Sequence, residues 1–187
     1  SAGRDARVAE EGERMTRGVE KFTVHPVADG ESKGKLSLMF NYDHIIEGIH
    51  IGTNACCIMH FSQTLLRKGI QADISLQDDF MDQANGAKYF FWIPVKDDHA
   101  PSLDQLDVGV MLLSYFVKRK IKSYVHCKNG HGRAPTLVVA YLISTGMPLG
   151  RALALVKERR PVIHLSKVQV NALKKFERRI RQRGRRS

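Results

Sequence analysis

Thr136 to Ile143 reads Thr-Leu-Val-Val-Ala-Tyr-Leu-Ile, a stretch that turns apolar side chains in nearly every direction a helix can point them. A surface helix needs a polar side, and this run is far too short to cross a bilayer. It is therefore predicted to be a helix buried inside a layered domain, covered by other elements. Strand-like runs lie upstream of it. Ile45, Ile46, Ile49 and Ile51, ending at Gly52, predict a strand or strand pair; Ala72–Leu76, Tyr89–Val95 and a short Ser123–His126 predict three more. Helical signals alternate with the later strands. Phe61–Lys68 is predicted to be helical and stopped by Gly69. Ser102 and Gln105 form a Ser-x-x-Gln capping box that opens a helix with Leu103, Leu106, Val110, Leu113 and Val117 on one face, ending near Lys120. Gly146 and Pro148 break the buried helix. Arg151–Arg159 resumes until Pro161, and Ser166 with Gln169 starts a last helix that carries Val170, Leu173, Phe176 and Ile180 inward.

Strands first, then strands alternating with helices, predict an α/β fold: a single domain with a central mixed, mostly parallel β-sheet flanked by α-helices on both faces. A chain of 187 residues has room for one such core and not for two ordinary ones. Residues 1–35 are charge-rich, poor in apolar groups and closed by a linker-like Gly30-Glu31-Ser32-Lys33-Gly34, so they are expected to be a polar extension. Residues 36–180 are the expected domain, and residues 181–187 a basic tail.

The formal charge of +11 suggests nucleic acid only until it is located. Residues 1–21 balance five basic against five acidic groups, whereas residues 171–187 carry eight basic and one acidic. Arg178, Arg179, Arg181, Arg183, Arg185 and Arg186 form this run. It suits contact with an anionic surface or RNA as well as it suits a solvated helix end whose cations complement the helix dipole. No aromatic residues interleave with these arginines, which argues against an RNA-binding module. The sequence holds no long apolar run and no signal-peptide pattern, so no transmembrane segment is expected. Three cysteines, two of them adjacent, make a poor disulfide framework, so a reducing, cytoplasmic compartment is expected.

The segment that carries chemistry is His126-Cys127-Lys128-Asn129-Gly130-His131-Gly132-Arg133-Ala134-Pro135-Thr136, placed between a predicted strand and the buried helix. A turn here aims successive backbone N–H groups and the positive end of the helix at one point, which suits an oxyanion. Gly130 and Gly132 permit the backbone angles of such a cradle. Arg133 adds a planar cationic fork for two phosphate oxygens. Cys127 starts the loop in the same positive field, which favours thiolate over thiol. Lys128 and His131 add cations at or near the mouth, or else point to solvent. The histidines show no spacing such as His-Glu-x-x-His, and Asp78-Asp79-Phe80-Met81-Asp82 reads as a solvated acidic turn, so neither a metal nor another cofactor is expected.

These residues match the Cys-x5-Arg signature loop of the cysteine-dependent phosphatases. Ile49-His50-Ile51-Gly52, Lys68-Gly69-Ile70 to Leu76, and Ile93-Pro94-Val95-Lys96-Asp97 resemble further blocks of that family, and the pattern over roughly 36–180 is similar to its compact dual-specificity branch. The resemblance implies a phosphomonoester hydrolase working through a phosphocysteine. Cys127 would be the nucleophile, and Arg133 with the N–H groups of Lys128, Asn129, Gly130, His131 and Gly132 would hold the phosphate. Asp97, with Asp98 as the alternative, would be the general acid, and His126 and Thr136 would take supporting places. Ala134 departs from the family, which commonly has a Ser or Thr hydroxyl there to stabilise the leaving thiolate. Phosphotyrosine, phosphoserine or phosphothreonine in a protein partner is the implied substrate, acted on by a monomer. Phosphoinositides, phosphoglucans and RNA 5′-phosphates stay open, as does a phosphate-binding pseudophosphatase adaptor. A glucan would call for an aromatic platform, for which Trp92 alone is a weak signal. Cys56-Cys57 reads as two small buried residues, or as a resolving thiol for an oxidised Cys127.

Overall fold

The computed structural model describes residues 18–21, 39–57 and 60–184. Six strands form one mixed sheet in the order β1-β2-β3-β6-β4-β5: β1 (Gly18–Lys21), β2 (Met39–Ile46), β3 (Ile49–Thr53), β4 (Ile70–Ser75), β5 (Tyr89–Trp92) and β6 (Lys122–Cys127). The first three pair antiparallel; β3, β6, β4 and β5 pair parallel. The expected strand pair around Ile45 is thus the β2–β3 hairpin. Residues 18–21 fall inside the stretch expected to be an extension and instead add an edge strand, while the linker-like residues 30–34 lie outside the described residues.

The helices are α1 (Gln63–Arg67), α2 (Leu103–Lys118), α3 (Arg133–Ser144), α4 (Leu149–Arg159) and α5 (Lys167–Arg183). Both expected capping boxes are present: the Ser102 hydroxyl accepts from the Gln105 N–H, and the Ser166 hydroxyl from the Gln169 N–H. The two faces of the sheet are unequal. Ile51, Ile74, Val125 and Cys127 pack with α2 to α5 into the main core, whose centre is α3, buried from Arg133 to Ile143 as its all-round apolar sequence requires. The opposite face is thinner: Phe40, Tyr42, Tyr124 and Ile70 pack against α1 and the turn at Asn54–Cys56. Strand alternation places Asp73, Ser75, Tyr124 and His126 on this thin face, in a register that sets Asp73 beside Tyr124 and Ser75 beside His126.

α5 continues through Arg183, so the tail expected from residue 181 is helical for its first residues. Arg179 and Arg183 pair with Asp107 of α2 at 2.7 and 3.1 Å, which accounts for part of the basic run by packing of helix on helix. Among the described residues, no helix is long and apolar enough to cross a membrane.

Candidate active site

The carboxyl end of β6 delivers Cys127, and the loop that follows turns directly into α3. Gly132 precedes the first turn of α3 and no side chain caps it, while Pro135 in that turn has no N–H to satisfy. The N–H groups of this buried helix end are thereby left for an anion. The cleft above them has a volume of about 200 Å³ and is lined by Asp97, Asp98, Cys127, Lys128, Asn129, His131, Gly132, Arg133, His164, Leu165, Ser166 and Gln169. Lys128 and His131 are among the residues that line this cleft. Burial, followed by the charges of Arg160 and His164, lowers the His131 pKa.

Two contacts force glycine in the loop's surroundings. Gly130 has φ +65°, and a Cβ there would lie 2.4 Å from the Gly52 carbonyl oxygen. Gly52 in turn is pressed by Asn41 and by Tyr124, whose hydroxyl donates to the Thr53 carbonyl at 2.8 Å. β3 and the phosphate-type loop are therefore in backbone contact. A bond from the Asn54 N–H to the Lys128 carbonyl at 3.2 Å ties them further.

Arg133 is 2% exposed. Its Nη1 donates to the Val95 carbonyl at 2.8 Å and meets Asp78 Oδ1 at 3.3 Å, and its Nη2 meets Asp97 Oδ1 at 2.9 Å. Its Nε–H is buried and has no hydrogen-bond partner among the described residues. Asp97 thus lies on the Arg133 fork, whereas Asp98 lines the cleft at φ +58° without taking the helix cap, which belongs to Ser102. The segment bearing both is held from two sides: Gln105 Nε2 donates to the Pro94 carbonyl at 2.8 Å, and Gln169 Nε2 to the His99 carbonyl at 3.1 Å. Thr136 is buried, and its hydroxyl donates to the Gly132 carbonyl at 2.8 Å, closing the loop onto α3. Ala134 is wholly buried.

Behind the loop, His126 Nε2 lies 3.2 Å from Asp73 Oδ1 and 3.7 Å from Asp82 Oδ2, with every partner buried. Burial by itself would lower the His126 pKa, but Asp73 and Cys57 outweigh it and raise it well above the ordinary value. Asp82 corrects the expected solvated turn. It is buried, accepts from Gln77 Nε2 at 2.7 Å and from the Ser75 hydroxyl, and burial raises its pKa. Asp78 of the same run reaches Arg133. Cys56 and Cys57 are buried on the thin face, with Cys57 Sγ 3.4 Å from His126 Nε2.

Arg160 matches no motif in the sequence. Wholly buried, it donates from Nε to the Gly130 carbonyl at 3.0 Å and from Nη2 to the Asn129 carbonyl at 3.3 Å, while Nη1 meets Asn41 Oδ1 and Asp43 Oδ2, both at 2.7 Å. It thereby ties the Asn129 and Gly130 carbonyls of the loop to β2. The one local signal was its place before Pro161, which holds it extended at φ −133°, ψ 85° just past α4.

Comparison with known proteins follows the same geometry. Residues 53–179 match the profile of the dual specificity phosphatase catalytic domain. The human phosphatidylglycerophosphatase and protein-tyrosine phosphatase 1 is 34% identical over 85 residues, which is 45% of this chain and 42% of that protein. The Arabidopsis thaliana protein-tyrosine-phosphatase IBR5 is 36% identical over 74 residues, 39% of this chain and 29% of that one. The matches therefore span less than half of these relatives. Among solved structures, human DUSP28 superposes with a TM-score of 0.68 at 20% identity, covering 75% of this chain and 95% of that one. PTPMT1 superposes with a TM-score of 0.66 at 20% identity, covering 78% and 99%; at such identities the likeness is one of fold.

Proposed function

The chain belongs to the dual specificity phosphatase family, and from that premise we propose that it hydrolyses phosphomonoesters through a phosphocysteine formed on Cys127. The observation that carries this reading is the Arg133 Nε–H, buried and unpartnered beside a helix end that no side chain caps, with Cys127 at the base of the same cleft. A phosphate dianion satisfies these donors together. The Cys127 thiolate attacks phosphorus, an S–P bond forms, and the P–O bond to the alcohol breaks as Asp97 protonates the leaving oxygen. Water then attacks phosphorus, Asp97 takes its proton, and the S–P bond breaks to return the thiolate. Arg133 and the N–H groups from Lys128 to Gly132 hold the equatorial oxygens throughout, so electrostatic positioning supplies most of the acceleration. Asp97 is chosen over Asp98 because its carboxylate already lies on the Arg133 fork. Ala134 offers the leaving thiolate no hydroxyl, which makes the second step the slow one.

Phosphorylated protein is the substrate we propose. A phosphorylated lipid headgroup is the second reading. It is favoured by Lys128, His131 and His164 lining the cleft, and by relatives named for phosphatidylglycerophosphate hydrolysis and crystallised with PI(5)P. Release of phosphate in the presence of EDTA, from an aryl phosphate, phosphotyrosyl and phosphothreonyl peptides, phosphatidylglycerophosphate and PI(5)P, tests both. Activity on any of these that disappears in Cys127→Ser supports the hydrolase, and the preferred substrate names the class. A reduced chain that turns over none of them refutes hydrolysis and makes the loop a phosphate-binding adaptor.

A further inference from the structure

The thin face of the sheet holds a second cluster that the phosphatase chemistry does not use. Cys56 and Cys57 Sγ, a carboxylate oxygen of Asp73 and a ring nitrogen of His126 all lie within 4.8 Å of one another, and all four residues are buried. Asp73 is the unusual member. It sits between Ala72 and Ile74 in β4, is 0% exposed, and neither of its carboxylate oxygens accepts a hydrogen bond among the described residues. Its nearest charge complement, His126 at 3.2 Å, also faces Asp82 at 3.7 Å, so one imidazole stands against two buried carboxylates. That single imidazolium must compensate both buried carboxylates, and a buried carboxylate left without hydrogen bonds is costly.

We propose that Cys56, Cys57, Asp73 and His126 form a closed tetrahedral site for a divalent cation of zinc type, directly behind the phosphate loop. Two sulfurs, an imidazole and a carboxylate are a ligand set that zinc favours, and a full set of four protein ligands marks a structural site, not one that meets substrate. The four positions come from three elements: the turn after β3 (Cys56 and Cys57), the middle of β4 (Asp73) and the end of β6 (His126). At ordinary zinc–ligand lengths, tetrahedral ligands stand about 3.3–3.8 Å apart. The site therefore forms if the widest pair closes by about 1 Å and the two sulfurs, 2.7 Å apart, open by about 1 Å, with the two thiol protons and the second ring proton of the His126 imidazolium leaving to solvent. No spacing in the sequence announces such a site, because its ligands come from three separated segments. The metal would fix His126, the residue before Cys127, and so brace the loop from behind. No catalytic step passes through it, and the proposal stands whether or not the chain is a phosphatase.

The test uses the full chain carrying Cys127→Ser, which removes the other thiol able to bind metal. After incubation with zinc and passage over a chelating resin, elemental analysis should find one zinc per chain. Loading with cobalt(II) should give a near-ultraviolet thiolate-to-metal charge-transfer band with the visible bands of tetrahedral coordination. Adding Asp73→Asn, nearly isosteric, or Cys57→Ser should weaken zinc binding by more than about tenfold, read by competition with a chromogenic chelator. Circular dichroism reports whether each variant is folded. Should Cys57→Ser fail to fold, Asp73→Asn and the cobalt spectrum of the Cys127→Ser chain decide the matter. The proposal is overturned if that chain retains no zinc, if its cobalt complex lacks the thiolate band, or if Asp73→Asn binds zinc unchanged.

Discussion

Replacing Arg160 with Lys separates holding the fold from holding the loop. A lysine ammonium can keep one contact near Asn41 and Asp43 but cannot also span to the Asn129 and Gly130 carbonyls, which the guanidinium reaches at 3.3 and 3.0 Å. Each lost bond from a charged donor contributes about 1.5–3 kcal/mol, and the longer one belongs at the low end, so Arg160→Lys should lower the unfolding free energy by about 3 kcal/mol. The freed carbonyls let the loop relax toward the cleft. A displacement of about 1 Å at a reacting centre costs roughly a hundredfold in rate, or about 2.7 kcal/mol of barrier. Urea unfolding followed by Trp92 fluorescence measures the first quantity, and aryl phosphate hydrolysis at a temperature where both proteins are fully folded measures the second. Asn41→Ala is the control: it removes a bond on the β2 side and leaves the loop carbonyls held, so it should cost about 1 kcal/mol of stability and leave kcat/KM within a few-fold. If Arg160→Lys loses stability while kcat/KM per folded molecule stays unchanged, the loop-holding argument is wrong.

Other perturbations have equally definite directions. Asp97→Asn should lower kcat by about 10²–10⁴ for substrates with poor leaving groups and less for a nitrophenyl ester, with Asp98→Asn much milder; the reverse ranking in a leaving-group series would exchange the two. Gly130→Ala drives a methyl group into the Gly52 carbonyl at a positive φ, so turnover should fall by roughly a hundredfold or more, and crystallography of the variant should show the loop displaced from β3. Burial, aided by His44, lowers the His50 pKa from 6.5 to about 4. The unfolded chain therefore takes a proton that the folded chain refuses: stability is full above pH 6.5 and erodes as pH falls toward 4, by about 3 kcal/mol from this group. His50→Gln should flatten that part of the stability profile, and parallel acid profiles for the two proteins would show that His50 is not its source.

What could be read from the sequence was what acts between near neighbours. The two capping boxes are contained within four residues each, so the starts of α2 and α5 were legible at Ser102 and Ser166. The phosphate-type loop is likewise one continuous segment in which glycines, cation and thiol announce each other. Contacts that bridge distant segments leave no such trace. Arg160 meets Asn41 and Asp43 across more than a hundred residues, and Arg183 meets Asp107 across 76, so neither pairing is legible from its local sequence. Asp82 reads as solvated because it closes a run with two further aspartates, Asp78 and Asp79; its burial is decided by Ser75 and Gln77, at and just past the end of β4. Asp73 does carry a signal, a lone carboxylate between Ala72 and Ile74, but its meaning lies in the neighbours that folding gives it.

In the proposed mechanism, the Arg133 fork connects binding to proton transfer. Its Nη2 is held by Asp97, its Nη1 by Val95 and Asp78, and among the described residues nothing claims Nε. A phosphate that takes both Nε and Nη2 must displace the Asp97 carboxylate, trading one charge-assisted pair for another. The displaced carboxylate does not go far, because Gln105 and Gln169 hold the backbone on either side of it at Pro94 and His99. It is left beside the phosphate, where the leaving oxygen emerges. Removing that carboxylate therefore has two opposite effects: a competitor for Arg133 is lost, so vanadate or phosphate should inhibit Asp97→Ala more tightly than the parent chain, while turnover collapses for want of an acid. A residue that only shaped the cleft would weaken both together.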